Sequence, residues 1–126
     1  MTLLLDAGAF IAYERGSRTV QAFLERASRT GDAVRTSTAV VAQVWQDGSR
    51  QARTALLLRG VDEAELTKTQ ARRIGRLLEL AHTSDVVDGA IVELAKDGDE
   101  ILTSDTEDIR RLAVAAGRTV IVTDVS

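Results

Sequence analysis

Leu3-Leu4-Leu5 is an uninterrupted apolar run stopped at once by Asp6. A run this short, without alternation, marks a strand covered on both faces. The periodicity then changes. Ala7 to Glu14 suits a helix, and Val20, Phe23, Leu24 and Ala27 recur at helical spacing until Gly31, a residue suited to a left-handed C-cap. Ala33 to Thr36 predicts a short second strand. Ser37 or Thr38 caps a helix carrying Val40, Val41, Val44 and Trp45 that ends near Gly48, and Ser49 opens another with Ala52, Leu56 and Leu57, closed by Gly60.

The second half repeats the alternation. Val61 to Leu66 reads as a weak strand, and Thr67 with Gln70 forms a capping-box pair ahead of Ala71, Ile74, Leu78 and Ala81 on one helical face. Ser84 is expected to cap the next helix, which buries Val87, Ala90, Ile91 and Leu94 before the Asp97-Gly98-Asp99 turn. Ile101-Leu102-Thr103 predicts a strand, Thr106 to Ala116 a helix stopped by Gly117, and Val120-Ile121-Val122 a last strand. Strands that alternate with helices imply an α/β fold: a three-layer α/β/α domain around a central, mostly parallel sheet of four to five strands with right-handed crossovers. At 126 residues the chain suits one domain, spanning 1–126.

Composition then removes whole classes of chemistry. With no Cys, a disulfide framework, a thiolate nucleophile, an iron–sulfur cluster and a cysteine zinc site all drop out. The single histidine, His82, builds no multi-histidine site and reads as a helix-end residue favourable to the helix dipole. No apolar run approaches the ~20 residues of a spanning helix, so an untargeted cytoplasmic protein is expected. Proline is absent, leaving the turns to glycine. The net charge of −3 argues against nucleic-acid binding by bulk positive charge, while leaving room for a local basic rim. The arginine groups Arg50-Arg53, Arg72-Arg73-Arg76 and Arg110-Arg111 are solvated helix faces or phosphate grips, and Trp45 is core or a dimer contact.

What remains is carboxylate chemistry. A parallel sheet places its crevice at the carboxyl ends of its strands, where Asp6 follows the first strand and Asp105 follows the Ile101 strand through Ser104. Asp85 and Asp88, three apart on the first turn of a helix, share a face. Three chain segments thus converge acids on one pocket. Clustered carboxylates repel, and a hard divalent cation relieves that repulsion. Oxygen-only ligation favours Mg²⁺ or Mn²⁺, which implies metal-assisted phosphodiester hydrolysis. The plainer reading makes Asp6 and Asp105 simple N-caps of the helices they precede. Asp88 resists that reading, because Ser84 or Asp85 already serves as the cap.

These residues carry a family resemblance. The Leu3-Leu4-Leu5-Asp6 opening, Thr83-Ser84-Asp85-Val86-Val87-Asp88 ahead of a small-residue helix, and Leu102-Thr103-Ser104-Asp105 near the end resemble a PIN domain, and more narrowly the VapC-type ribonuclease toxins of toxin-antitoxin modules. The resemblance spans the whole chain in element order and motif placement. It implies Mg²⁺- or Mn²⁺-dependent endonucleolytic cleavage of RNA, a homodimer and restraint by a cognate antitoxin. In that scheme Asp6, Asp88 and Asp105 are the catalytic, metal-binding acids, Asp85 is an auxiliary, and Thr103 or Ser104 steers water or carboxylate orientation. The acidity of the pocket also suits an arginine offered by the antitoxin.

One position departs from the family. A glutamate is usual in the helix after the second strand, and the matching residue here is Gln43, whose amide accepts a hydrogen bond but carries no charge. The rival reading follows: a non-catalytic, degenerate PIN-like module that binds RNA or a partner. Other phosphate chemistries fit less well, since Gly8 stands where a haloacid-dehalogenase-like phosphatase has its second aspartate. No P-loop and no dinucleotide fingerprint occurs.

Overall fold

The computed structural model describes residues 1–126. Five strands, β1 (Thr2–Leu5), β2 (Ala33–Ser37), β3 (Asp62–Ala64), β4 (Glu100–Thr103) and β5 (Ile121–Asp124), form one sheet in the order β3-β2-β1-β4-β5. Every pairing is parallel. Between the strands run α1 (Ala7–Glu14), α2 (Arg18–Thr30), α3 (Thr38–Val44), α4 (Ala52–Leu58), α5 (Lys68–Ala81), α6 (Val86–Leu94) and α7 (Thr106–Ala115). The three-layer α/β/α arrangement and the parallel sheet expected from the alternation are both present.

β1 is the centre of the sheet because its side chains pack on both faces. Leu3, Leu4 and Leu5 are fully buried and pair with Val34 and Arg35 of β2 on one side and with Glu100, Ile101 and Leu102 of β4 on the other. Phe10, Val20, Val40, Ile91 and Leu112 fill the layers above and below them. The parallel register brings Asp6, which follows β1, and Ser104 and Asp105, which follow β4, to the same sheet edge.

Several local expectations shift. The helix holding Val40 and Val44 ends at Val44, not near Gly48, and Trp45 is extended and 42% exposed, outside the core. The reason is local competition for backbone donors. The Asp47 side chain accepts from the Ser49 N–H, and Gln51 Oε1 accepts from the N–H groups of Gln46 and Asp47, which stabilises a 3₁₀ turn over Gly48–Arg50 and delays α4 to Ala52. Ser84 does not cap α6. Asp85 does, its Oδ1 accepting from the N–H groups of Val87 at 3.0 Å and Asp88 at 3.1 Å. The Thr67–Gln70 capping box forms in full, and His82 ends α5 in the left-handed region at φ 55°. The far end of α6 is held by Arg118, whose Nη1 donates to the carbonyls of Val92 at 2.6 Å and Ala95 at 2.7 Å. That contact fixes the helix whose first turn carries Asp88.

Candidate metal centre

The site stands on two strand-to-helix junctions and one helix-to-helix connection. β1 delivers Asp6, the α5–α6 connection delivers Asp85 with Asp88 on the first turn of α6, and β4 delivers Thr103, Ser104 and Asp105. One carboxylate oxygen from each of Asp85, Asp88 and Asp105 lies within 4.8 Å of the others. These three form a group able to hold a metal ion. Asp85, expected only as an auxiliary, therefore stands inside the tight group while also capping α6, whereas Asp6 lies outside it.

Asp6 is nonetheless built into the same cluster. It is buried, its Oδ2 accepts from Thr103 Oγ1 at 2.7 Å, and its Oδ1 has no hydrogen-bond partner. Asp88 is likewise buried with an orphaned Oδ2. A buried, unpartnered carboxylate oxygen is costly, and its presence in a native fold points to a missing cation or proton. Burial pushes the Asp6 carboxyl above its usual range. For Asp88 burial is again the largest cause, followed by a side-chain hydrogen bond to Asp105 that only the protonated form can donate and by the charge of Asp6, and together these raise it to about 9.

The capping alternative fails at both junctions. Neither Asp6 nor Asp105 accepts a side-chain hydrogen bond from the helix that it precedes. Their oxygens are left for other work.

Thr103 links the two. Its hydroxyl donates to Asp6 and accepts from the Asp105 N–H at 2.9 Å, so one fully buried side chain sets the positions of acids on two strands. Ser104 is exposed and lies against the start of α1. A Cβ on Gly8 would sit 2.8 Å from the Ser104 backbone nitrogen, so only glycine permits this approach of α1 to the β4–α7 junction. The sequence showed Gly8 only as a mismatch to another enzyme class, and the close approach had no local signal. Gln43, on the last turn of α3, is exposed and its side chain makes no hydrogen bond. His82 lines a shallow depression with Ser84, Asp108 and Arg111 beside the acids.

The donor chemistry fits a hard dication. Only carboxylate and hydroxyl oxygens line the cluster, two carboxylate oxygens are buried without partners, and neither sulfur nor imidazole is a member.

No protein-family model and no curated protein matches the chain. A solved structure does: a chain of VapBC2 from Rickettsia felis bound to a DNA fragment from their promoter superposes with a TM-score of 0.74, covering 100% of both chains at 12% identity. The two share a fold. That fold is the PIN-like one implied by the ordered motifs, and a match of full length at so low an identity means that the element order is preserved where the side chains are not.

Proposed function

We propose that the chain is a Mg²⁺- or Mn²⁺-dependent endoribonuclease, the toxin component of a type II toxin-antitoxin module. The observation that carries this reading is the convergence of Asp85, Asp88 and Asp105 within 4.8 Å, beside the orphaned oxygens of Asp6 and Asp88. Asp85, Asp88 and Asp105 would hold the cation, with Asp6, whose Oδ1 is buried and unpartnered, beside them. When bound, the cation supplies positive charge at the scissile phosphate and lowers the pKa of a nearby water.

The chain's own residues supply order. Thr103 holds Asp6 Oδ2, leaving Oδ1 buried without a partner, and anchors the backbone at Asp105. Burial and the neighbouring acids keep the Asp88 carboxyl protonated in the metal-free protein, a proton that a bound cation would replace. The solved neighbour is VapBC2 on a promoter fragment, which supports a cognate antitoxin as the partner of this chain, bound as a helix or tail that offers a guanidinium to the acids. No helix is long and apolar enough to cross a membrane, and a cytoplasmic homodimer completes the reading.

Gln43 favours a second reading, a non-catalytic module, because it removes a charge that the family usually supplies. Cleavage of total RNA by the purified chain decides between them. Mg²⁺-dependent cleavage, abolished by chelator and reduced at least ~100-fold by Asp88→Asn, is expected. Intact tRNA, rRNA and mRNA after incubation with metal-loaded protein would establish the module.

A further inference from the structure

A groove of about 470 Å³ lies beside the β4–α7 junction, next in the chain to Asp105, and Val125 and Ser126 line it as well, while none of the four acids does. Its near wall is Gly8 and Ser104, the residues beside Asp6 and Asp105, and its far wall is the α1–α2 turn with Arg15, Gly16 and Ser17. Ile11 supplies an apolar floor between them, 46% exposed. Arg15 is exposed and forms no ion pair, unlike Arg26, Arg35, Arg73 and Arg118, whose guanidinium groups are each tied to a carboxylate.

A second guanidinium lies against the Gly16 wall of the groove. Gly16 adopts φ +84°, and a Cβ added there would lie 2.7 Å from Arg53 Nη1. Arg53 therefore passes directly over the glycine, donating to the Glu14 carbonyl at 3.4 Å and meeting no carboxylate. Glycine at 16 serves two needs at once, the left-handed turn and room for the arginine. In a chain of net charge −3, two guanidinium groups without carboxylate partners meet at the α1–α2 turn, Arg15 lining the groove and Arg53 lying against its Gly16 wall, while Gly8 and Ser104, near Asp6 and Asp105 in the chain, line the other side.

We infer that this groove binds the ribose-phosphate backbone of a single RNA strand next to the scissile phosphate, with Arg15 and Arg53 gripping a neighbouring phosphate. The inference rests on the ribonuclease reading and names the positioning residues for it. The acids repel a polyanion, so the strand needs fixed cations outside the cluster to be drawn across it. Guanidinium forks bind phosphate bidentately, and Ser17 and Ser104 offer hydroxyls along the way. The apolar surface of Ile11 suits the face of an unpaired base, which a duplex keeps stacked.

The test measures binding apart from catalysis. Fluorescence anisotropy of a labelled single-stranded RNA is followed in EDTA over a series of salt concentrations, with the wild-type chain and Arg15→Gln/Arg53→Gln. The control is an equal charge loss at the edge where the strands begin, Arg29→Gln/Arg59→Gln, two exposed arginines that precede β2 and β3. The groove variant is expected to bind about tenfold more weakly and to lose about 1.4 from its salt slope, two phosphate contacts at ~0.7 each. Arg15→Lys/Arg53→Lys restores the slope with part of the affinity, and the control stays within about twofold of wild type. Equal losses in groove variant and control, or no loss in either, overturn the groove while leaving the ribonuclease reading intact. A wild-type chain that neither binds nor cleaves RNA overturns that reading, and the groove with it.

Discussion

Two pairs of buried carboxylates, at opposite edges of one sheet, behave in opposite ways. Asp99 and Glu100, at the edge where β4 begins, are 6% and 5% exposed, and Asp6 and Asp88, at the edge where the strands end, are 3% and 4% exposed. Burial is the same. At the first edge every oxygen is satisfied: Asp99 accepts from the N–H groups of Thr2 at 2.8 Å and Lys96 at 2.9 Å, while Glu100 takes Arg26 at 2.6 Å and Thr123 Oγ1 at 2.7 Å. At the second edge two oxygens have no partner. The fold can thus satisfy a buried acid in full, and at the Asp6 edge it does not. Unsatisfied acids at the Asp6 edge cost stability, and carboxylates serve as structural cement at the other edge.

The contrast makes opposite predictions for removing charge. Asp99→Ala is the largest effect expected: it strands two backbone donors, costs about 2–4 kcal/mol and lowers Tm by about 10 °C. Differential scanning calorimetry at neutral pH measures it, and a loss below about 1 kcal/mol would break the comparison from the structural side.

Asp88→Asn goes the other way in the metal-free protein. The Asp88 carboxyl is raised to about 9 in the folded state, so the stability associated with its proton is fully present below the unfolded value near 3.8 and is lost as pH rises towards 9. Metal-free wild type should therefore melt progressively lower from pH 5 to pH 9. The Asp88→Asn variant, which has no such proton to lose, should show a flatter profile and melt about 5 °C above wild type at pH 8.5. A chelated sample in which the Asp88→Asn variant is the less stable protein at pH 8.5 would mean that Asp88 is structural, like Asp99.

The smallest effect concerns Gln43, which is exposed and free of hydrogen bonds. Gln43→Glu should leave the metal-free Tm within about 1 °C, since the site is on the surface. One more anion near the acids should tighten Mn²⁺ binding about two- to threefold, read from thermal shifts across a Mn²⁺ series. A titration that superposes on wild type places residue 43 outside the field of the cluster.

These contrasts also separate what was legible in the chain from what was not. Helical spacing of Ile74 and Ala81, the Thr67–Gln70 box and the unbroken Leu3–Leu5 run were sufficient for element order and for an α/β sheet, because they are local and each depends on a few neighbouring positions. The boundaries around residues 44 to 52 were not legible. There Asp47 and Gln51 compete for backbone donors through side-chain geometry that composition does not encode.

The acids divide in the same way. That Asp6 and Asp105 reach one edge follows from strand order, since each terminates a strand of a parallel sheet, and chain order alone makes this inference available. Which oxygens are satisfied does not follow. Thr103 bridging to Asp6 across 97 positions, Asp85 folding back to cap α6 while staying in the cluster, and Arg53 settling over Gly16 are contacts between segments far apart in the chain or turned by a cap. Sequence determined the element order and the oxygen-only donor set, because inventory and periodicity are properties of the chain. Only the tertiary structure decided which carboxylates are left unpaired, because satisfaction is a property of the space between elements.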